Sequence, residues 1–222
     1  MAVNPNPVLS NRNTLYLADS GGGKSQALKQ NREIPKAGAR VVLFDTNEDH
    51  KASRFYEPGR FGRALVAGVR SGRGFRVAYC GSPFLRINGK NFDVHEWFCE
   101  LVFSLLDGRK MTYIIDEEIS GSVNSVNKAP PNYARLMNQC RKFGGVYHGT
   151  TQYPTEIPKT VYKGCHVKYV GMQAPETCGY VAKAAGVKAE DLGELVPLEF
   201  YVCDSGKVPG DRVRKLKLKY KK

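Results

Sequence analysis

Acidic residues, paired cysteines and long apolar runs are all scarce in this 222-residue chain. Asp and Glu number 21 against 34 Lys and Arg, leaving a formal charge of +13. So large an excess points to a polyanionic partner, nucleic acid or an anionic surface. The six cysteines (80, 99, 140, 165, 178 and 203) form no C-x-x-C pair. That spacing excludes a zinc ribbon or a disulfide framework and reads as reduced thiols, several of them in the core. The four histidines are equally scattered, and their spacing singles none of them out. The longest apolar stretch, residues 97–106, carries Glu100 and is too short to cross a bilayer. The first residues, MAVNPNPVLSNRN, lack a basic-then-apolar pattern, so no export signal and no transmembrane segment are expected.

What is present is a repeated alternation of strand-like and helix-like segments, the signature of a parallel sheet flanked by helices. Strands are expected near 13–18, 40–46, 75–80, 111–116, 146–152, 167–172, 199–203 and 212–219. Helices are expected near 24–36, 60–70, 93–107, 131–143, 156–163 and 175–185. No repeat or long linker interrupts the chain, so residues 1–222 are expected to form one domain. Residues 1–11 make an N-terminal arm and 212–222 a basic strand and tail. In that tail, RVRKLKLKYKK, cations recur without an acid, and two readings stand equally: an edge strand guarded by lysines, or a DNA-contacting segment.

The segment ADSGGGKS at 18–25 follows the apolar run TLYL and precedes a helical pattern. Strand, glycine turn, Lys-Ser and helix together make a phosphate-binding loop. Its backbone N–H groups converge on a triphosphate at a helix N-terminus, where the dipole favours negative charge. Ala18, Ser20, Gly21, Gly22, Gly23, Lys24, Ser25 and Gln26 are the expected nucleotide contacts. Lys24 would reach the β- and γ-phosphates, and the Ser25 hydroxyl would bind Mg²⁺. Ala18 stands where the pattern G-x-x-x-x-G-K-[ST] has its first glycine. Three consecutive glycines supply the flexibility, so the departure is expected to be minor.

A hydrolytic site needs acids as well. MTYIIDEE at 111–118 delivers Asp116 to the carboxyl end of a strand, where open α/β sheets bind ligands. Asp116 is the expected metal ligand with Ser25, and Glu117 the expected general base. Gln152 is expected at the end of the neighbouring strand, where its amide would touch both γ-phosphate and attacking water. Arg141 lies at the rim and would serve a neighbouring subunit as an arginine finger, with Arg135 and Lys142 as rivals.

Together ADSGGGKS, YIIDEE and CRKFGGVYHGTTQYPTEIPKTV resemble the additional-strand P-loop ATPases of the FtsK/HerA superfamily. Within it they resemble the genome-packaging ATPases of tectivirus- and corticovirus-like viruses. The likeness covers about residues 12–205 and rests on Arg141-Lys142, Gly144-Gly145, Thr151-Gln152, Pro154 and Ile157-Pro158. FDTNED at 44–49 matches the acidic second-strand end of cellular members only loosely, which weakens any role for Asp45 or Glu48. The resemblance implies a RecA/FtsK-like α/β P-loop NTPase whose C-terminal strands are open to an antiparallel arrangement. It implies an ATPase using ATP and Mg²⁺ and a homo-oligomeric ring, usually a hexamer, that moves double-stranded DNA. It also implies viral vertex, portal or membrane partners, and a location in the host cytoplasm and virion. Loop 119–130, with Lys128, is the expected pore segment. Three other readings remain: an assembly ATPase of filamentous-phage type, a small-molecule kinase with an arginine-rich lid at 54–76, and a non-enzymatic DNA-binding or capsid component, supported only by Ala18.

Overall fold

The computed structural model describes residues 2–123 and 126–221. In chain order the first half contains β1 (Thr14–Leu17), α1 (Lys24–Gln30), β2 (Arg40–Phe44), β3 (Ser53–Phe55), α2 (Pro58–Arg70) and β4 (Phe75–Tyr79). A hairpin of β5 (Phe84–Ile87) and β6 (Lys90–Asp93) follows, then α3 (Val94–Ser104), β7 (Thr112–Asp116) and α4 (Ile119–Ser122). The second half contains α5 (Pro131–Gln139), β8 (Gly145–Thr151), α6 (Lys159–Gly164), β9 (Val167–Val170) and α7 (Pro175–Ala185). It closes with α8 (Ala189–Gly193), β10 (Glu199–Asp204) and β11 (Val213–Lys217).

The main sheet runs β11-β10-β9-β1-β8-β7-β2-β4-β3. From β9 to β3 every pairing is parallel, whereas β10 joins β9, and β11 joins β10, antiparallel. The expected α/β architecture with a mainly parallel sheet and antiparallel C-terminal strands is therefore what the chain adopts. β8 lies between β1, which feeds the phosphate loop, and β7, which carries the acids. That inserted strand sets the end of β8 beside both.

Side chains alternate across the sheet. Leu15, Leu17, Val42, Phe44, Ile114 and Tyr147 face a large apolar layer with α2, α3, α5, α6 and α7. Tyr16, Val41, Leu43, Tyr113 and Ile115 face the other side, toward Ala27 and Leu28 of α1. Leu216 and Leu218 pack against this second layer. β11 is an edge strand, and its Lys215 and Lys217 lie 3.6 and 2.9 Å from Glu199.

Several expected boundaries shift. α1 stops at Gln30 rather than 36, because Asn31 turns extended and its N–H closes on the Leu28 carbonyl. β3, the β5–β6 hairpin and α8 were not expected at all. All are short, and the three strands are largely exposed, so no buried periodicity marks them. The arginine-rich segment 54–76 is built into β3, α2 and β4 rather than forming a lid; Phe61 and Leu65 of α2 are buried. Loop 119–130 opens as α4, and its residues 124 and 125 lie outside the described residues. The arm is held by hydrogen bonds from Val3 N–H to the Leu106 carbonyl and from Asn6 N–H to the Lys142 carbonyl. Among the described residues no helix is long and apolar enough to cross a membrane.

Candidate nucleotide-binding site

The loop between β1 and α1 has the backbone a phosphate cradle needs. Gly21 and Gly23 take φ of +75° and +100°, values that L side chains rarely adopt. Ala18 fits because its neighbours have no side chains. A Cβ on Gly22 would stand 2.9 Å from the Ala18 methyl, and one on Gly171 would stand 3.0 Å from it. The missing glycine at position 18 is thus matched by glycines on both sides of the methyl.

Lys24 is buried, and its Nζ donates to the carbonyls of Ala18 (2.9 Å) and Asp19 (3.4 Å). Burial lowers its pKa, while the charges of Glu118, Glu117, Asp19 and Asp49 act to raise it. Ser25 is the second residue of α1, and its hydroxyl lies 3.3 Å from both Glu117 Oε1 and Asp49 Oδ2. Gln26 is committed elsewhere. Its amide pairs with the backbone of Lys221 through Nε2 (2.9 Å to the carbonyl) and Oε1 (3.1 Å from the N–H).

The end of β7 divides its acids between the two faces of the sheet. Asp116 shares the face of Ile114, and its Oδ2 accepts from Tyr147 O–H (2.7 Å) and pairs with His95 Nε2 (3.0 Å). Both partners of the His95–Asp116 pair are about 1% exposed, and Asp116 Oδ1 has no hydrogen-bond partner among the described residues. Burial works against the His95 charge, but the adjoining Asp116 and Cys99 outweigh it and hold the pKa well above the ordinary value. The expectation that Asp116 meets a metal at Ser25 therefore does not match its placement. Strand alternation turns it away from α1.

Glu117 faces α1 instead. Its Oε1 lies 3.3 Å from Ser25 Oγ and 3.1 Å from Thr150 Oγ1, and its Oε2 pairs with His50 Nε2 at 2.7 Å. Glu118 follows with φ +56°, a left-handed conformation uncommon for a residue with a side chain. Its N–H donates to Thr150 Oγ1 (2.9 Å), and its Oε1 accepts from Ser120 O–H, Thr151 O–H and the Gln152 N–H. Backbone outliers of this kind cluster at functional sites. Gln152, Glu117, Glu118, Lys24 and Ser25 line one cavity of about 510 Å³.

Arg141 stands apart from this cavity. It lies in a 3-10 turn (Cys140–Phe143) at the amino end of β8, the end opposite Gln152, and its Nη1 donates to the carbonyls of Pro7 and Leu9 in the arm. The rival Arg135 lies over the Phe103 ring at 4.5 Å, and Lys142 is exposed. Asp45 is buried and accepts the N–H groups of Asp49 and His50, which makes it the organiser of its loop. Glu48 points outward to Arg54 and Tyr56.

His50, Asp49, Thr150 and Glu118 are site residues that sequence reasoning missed. The acidic segment NEDH was visible, but nothing in its spacing aims it at Ser25. The period-2 alternation along β7 was the available signal for separating Asp116 from Glu117.

No protein-family model matches the chain. Protein P9 of Pseudoalteromonas phage PM2 is 31% identical over 166 residues, 74% of this chain and 70% of P9. The chain belongs to the P9 family. Among solved structures, the genome packaging NTPase B204 from Sulfolobus turreted icosahedral virus 2, in complex with AMPPCP, matches with a TM-score of 0.71. Its identity is 16%, and the match covers 95% of this chain and 99% of B204. VirB4 of Thermoanaerobacter pseudethanolicus matches with a TM-score of 0.59 at 11% identity, over 96% of this chain and 90% of VirB4. This chain thus shares its α/β fold with B204 and VirB4.

Proposed function

We propose that this chain is an ATP-driven motor that packages a double-stranded viral genome into a preformed capsid. The observation that carries the reading is its likeness, over nearly the whole of both chains, to the genome packaging NTPase B204. Kinship with a phage protein and the charge of +13 agree with it, since DNA grip through phosphates needs cations and no base readout.

The residues fit the task. On nucleotide arrival Lys24 leaves the carbonyls of Ala18 and Asp19 for the β- and γ-phosphates. Ser25, Glu117 and Asp49 would supply hard oxygen donors for Mg²⁺, which would neutralise charge on the phosphate oxygens. His50 and Thr150 hold Glu117 in place. Glu118, next to Gln152, accepts the proton of the attacking water, while the Gln152 amide orients that water and senses the γ-phosphate. The roles of metal ligand and base thus move one residue along from Asp116 and Glu117. A ring of subunits, in the host cytoplasm and at the virion vertex, completes the proposal. In it Arg141 releases the arm carbonyls to neutralise transition-state charge in the neighbour's site.

The test is ATP turnover with and without duplex DNA. Turnover rises with DNA and is abolished by Lys24→Ala. A rate indifferent to DNA overturns translocation, and no turnover at all overturns the ATPase reading.

A further inference from the structure

The C-terminal tail is fastened over the helix that begins at the phosphate loop, by contacts the hydrolytic reading does not use. After β11, Leu218 N–H donates to the Leu198 carbonyl (2.9 Å), and Gln30 Nε2 donates to the Lys219 carbonyl (2.9 Å). Gln26 then takes both backbone groups of Lys221. Gln26 and Gln30 are one turn apart on α1, and Gln30 Nε2 also donates to Gln26 Oε1 at 3.1 Å, so the two amides form one clamp.

Leu198 ties the same tail to the loop. Its N–H donates to the Gly22 carbonyl (3.1 Å), and it has a φ of +72°. It also lies so close to Gly23 that a Cβ there would stand 2.7 Å from Leu198 Cδ2. The outcome is an aromatic ring at the mouth of the cavity. Tyr220, 69% exposed, lines it together with Pro197 and Leu198.

The polar groups fix which way a nucleotide lies. The γ-phosphate end belongs beside Ser25, Glu118 and Gln152. The apolar part of the lining, Pro197, Leu198 and Tyr220, is the part suited to a base. We propose that the tail builds a nucleobase platform, in which Tyr220 stacks on the base and Leu198 and Pro197 support it. This rests on the nucleotide site proposed above. The platform reads the π-face of the base, because Tyr220, Leu198 and Pro197 offer it a ring and two apolar side chains. Such stacking tolerates any base.

The experiment compares binding of ATP, GTP and inorganic tripolyphosphate to the full chain, for the native protein and for Tyr220→Ala and Tyr220→Phe. Tyr220→Ala weakens ATP and GTP about 5- to 150-fold, the range for loss of one base–aromatic stack. It leaves tripolyphosphate binding unchanged, and Tyr220→Phe restores the nucleotides. The native protein binds ATP and GTP within about tenfold of each other. Equal ATP binding by native protein and Tyr220→Ala overturns the platform, as does an equal loss of tripolyphosphate. ATP-over-GTP discrimination beyond about tenfold overturns readout by the π-face alone. A native protein that binds neither ATP nor tripolyphosphate overturns the nucleotide site itself.

Discussion

Asp116 and Glu117 are adjacent buried acids at the end of one strand, each paired with a histidine, yet they face opposite sides of the sheet. Asp116 faces the large apolar layer, held by His95 of α3 and by Tyr147. Glu117 faces α1 and touches Ser25. The difference teaches that a strand end sorts its carboxylates by parity. Asp116 is enclosed with His95 and Tyr147 on one face, and Glu117, likewise buried, meets Ser25 and His50 on the other.

The sharpest way to break this comparison on the α1 side is Glu117→Gln. It should cut ATP turnover by about 10²-fold or more, measured on folded protein. On the other face Asp116→Ala should act on stability. It leaves His95 buried without its partner, a loss of about 3–5 kcal/mol measurable by denaturant unfolding.

A smaller effect separates the histidines by their partners. His148 lies on the α1 face beside Tyr16, with no carboxylate among its contacts, and burial first, then Arg12, lowers its pKa to about 3. The unfolded chain binds a proton near 6.5 that the folded chain refuses until about 3. His148 therefore favours folding above 6.5, and that contribution falls by about 1.4 kcal/mol per pH unit below it. Unfolding curves from pH 7 to 5 should show the slope, and His148→Asn should flatten it.

Much of the phosphate site was legible in the chain itself. Three glycines, Lys24 and Ser25 between a strand and a helix have few other uses, and the parallel sheet followed from the alternation of segments. The placement of Gln152 beside the acids was legible too, because a strand inserted between β1 and β7 brings its end there. Which acid meets Ser25 was not, since a one-residue step along β7 reverses the face and nothing in IIDEE marks where the strand's last pleat falls. The edge strand β11 was legible, but the docking of the residues after it was not. The cations of the tail suggested an edge strand or DNA contact, while the groups that place Tyr220 are two glutamine amides and a left-handed Leu198 far away in sequence.

The most direct test of this division of labour is ATP turnover by Asp116→Asn and Glu118→Gln, measured side by side where both are folded and both bind AMPPCP. Glu118→Gln should lose about 10²–10⁴-fold in turnover, while Asp116→Asn stays within about tenfold of the native rate. Normal turnover by Glu118→Gln, together with a dead but folded Asp116→Asn, would contradict the account.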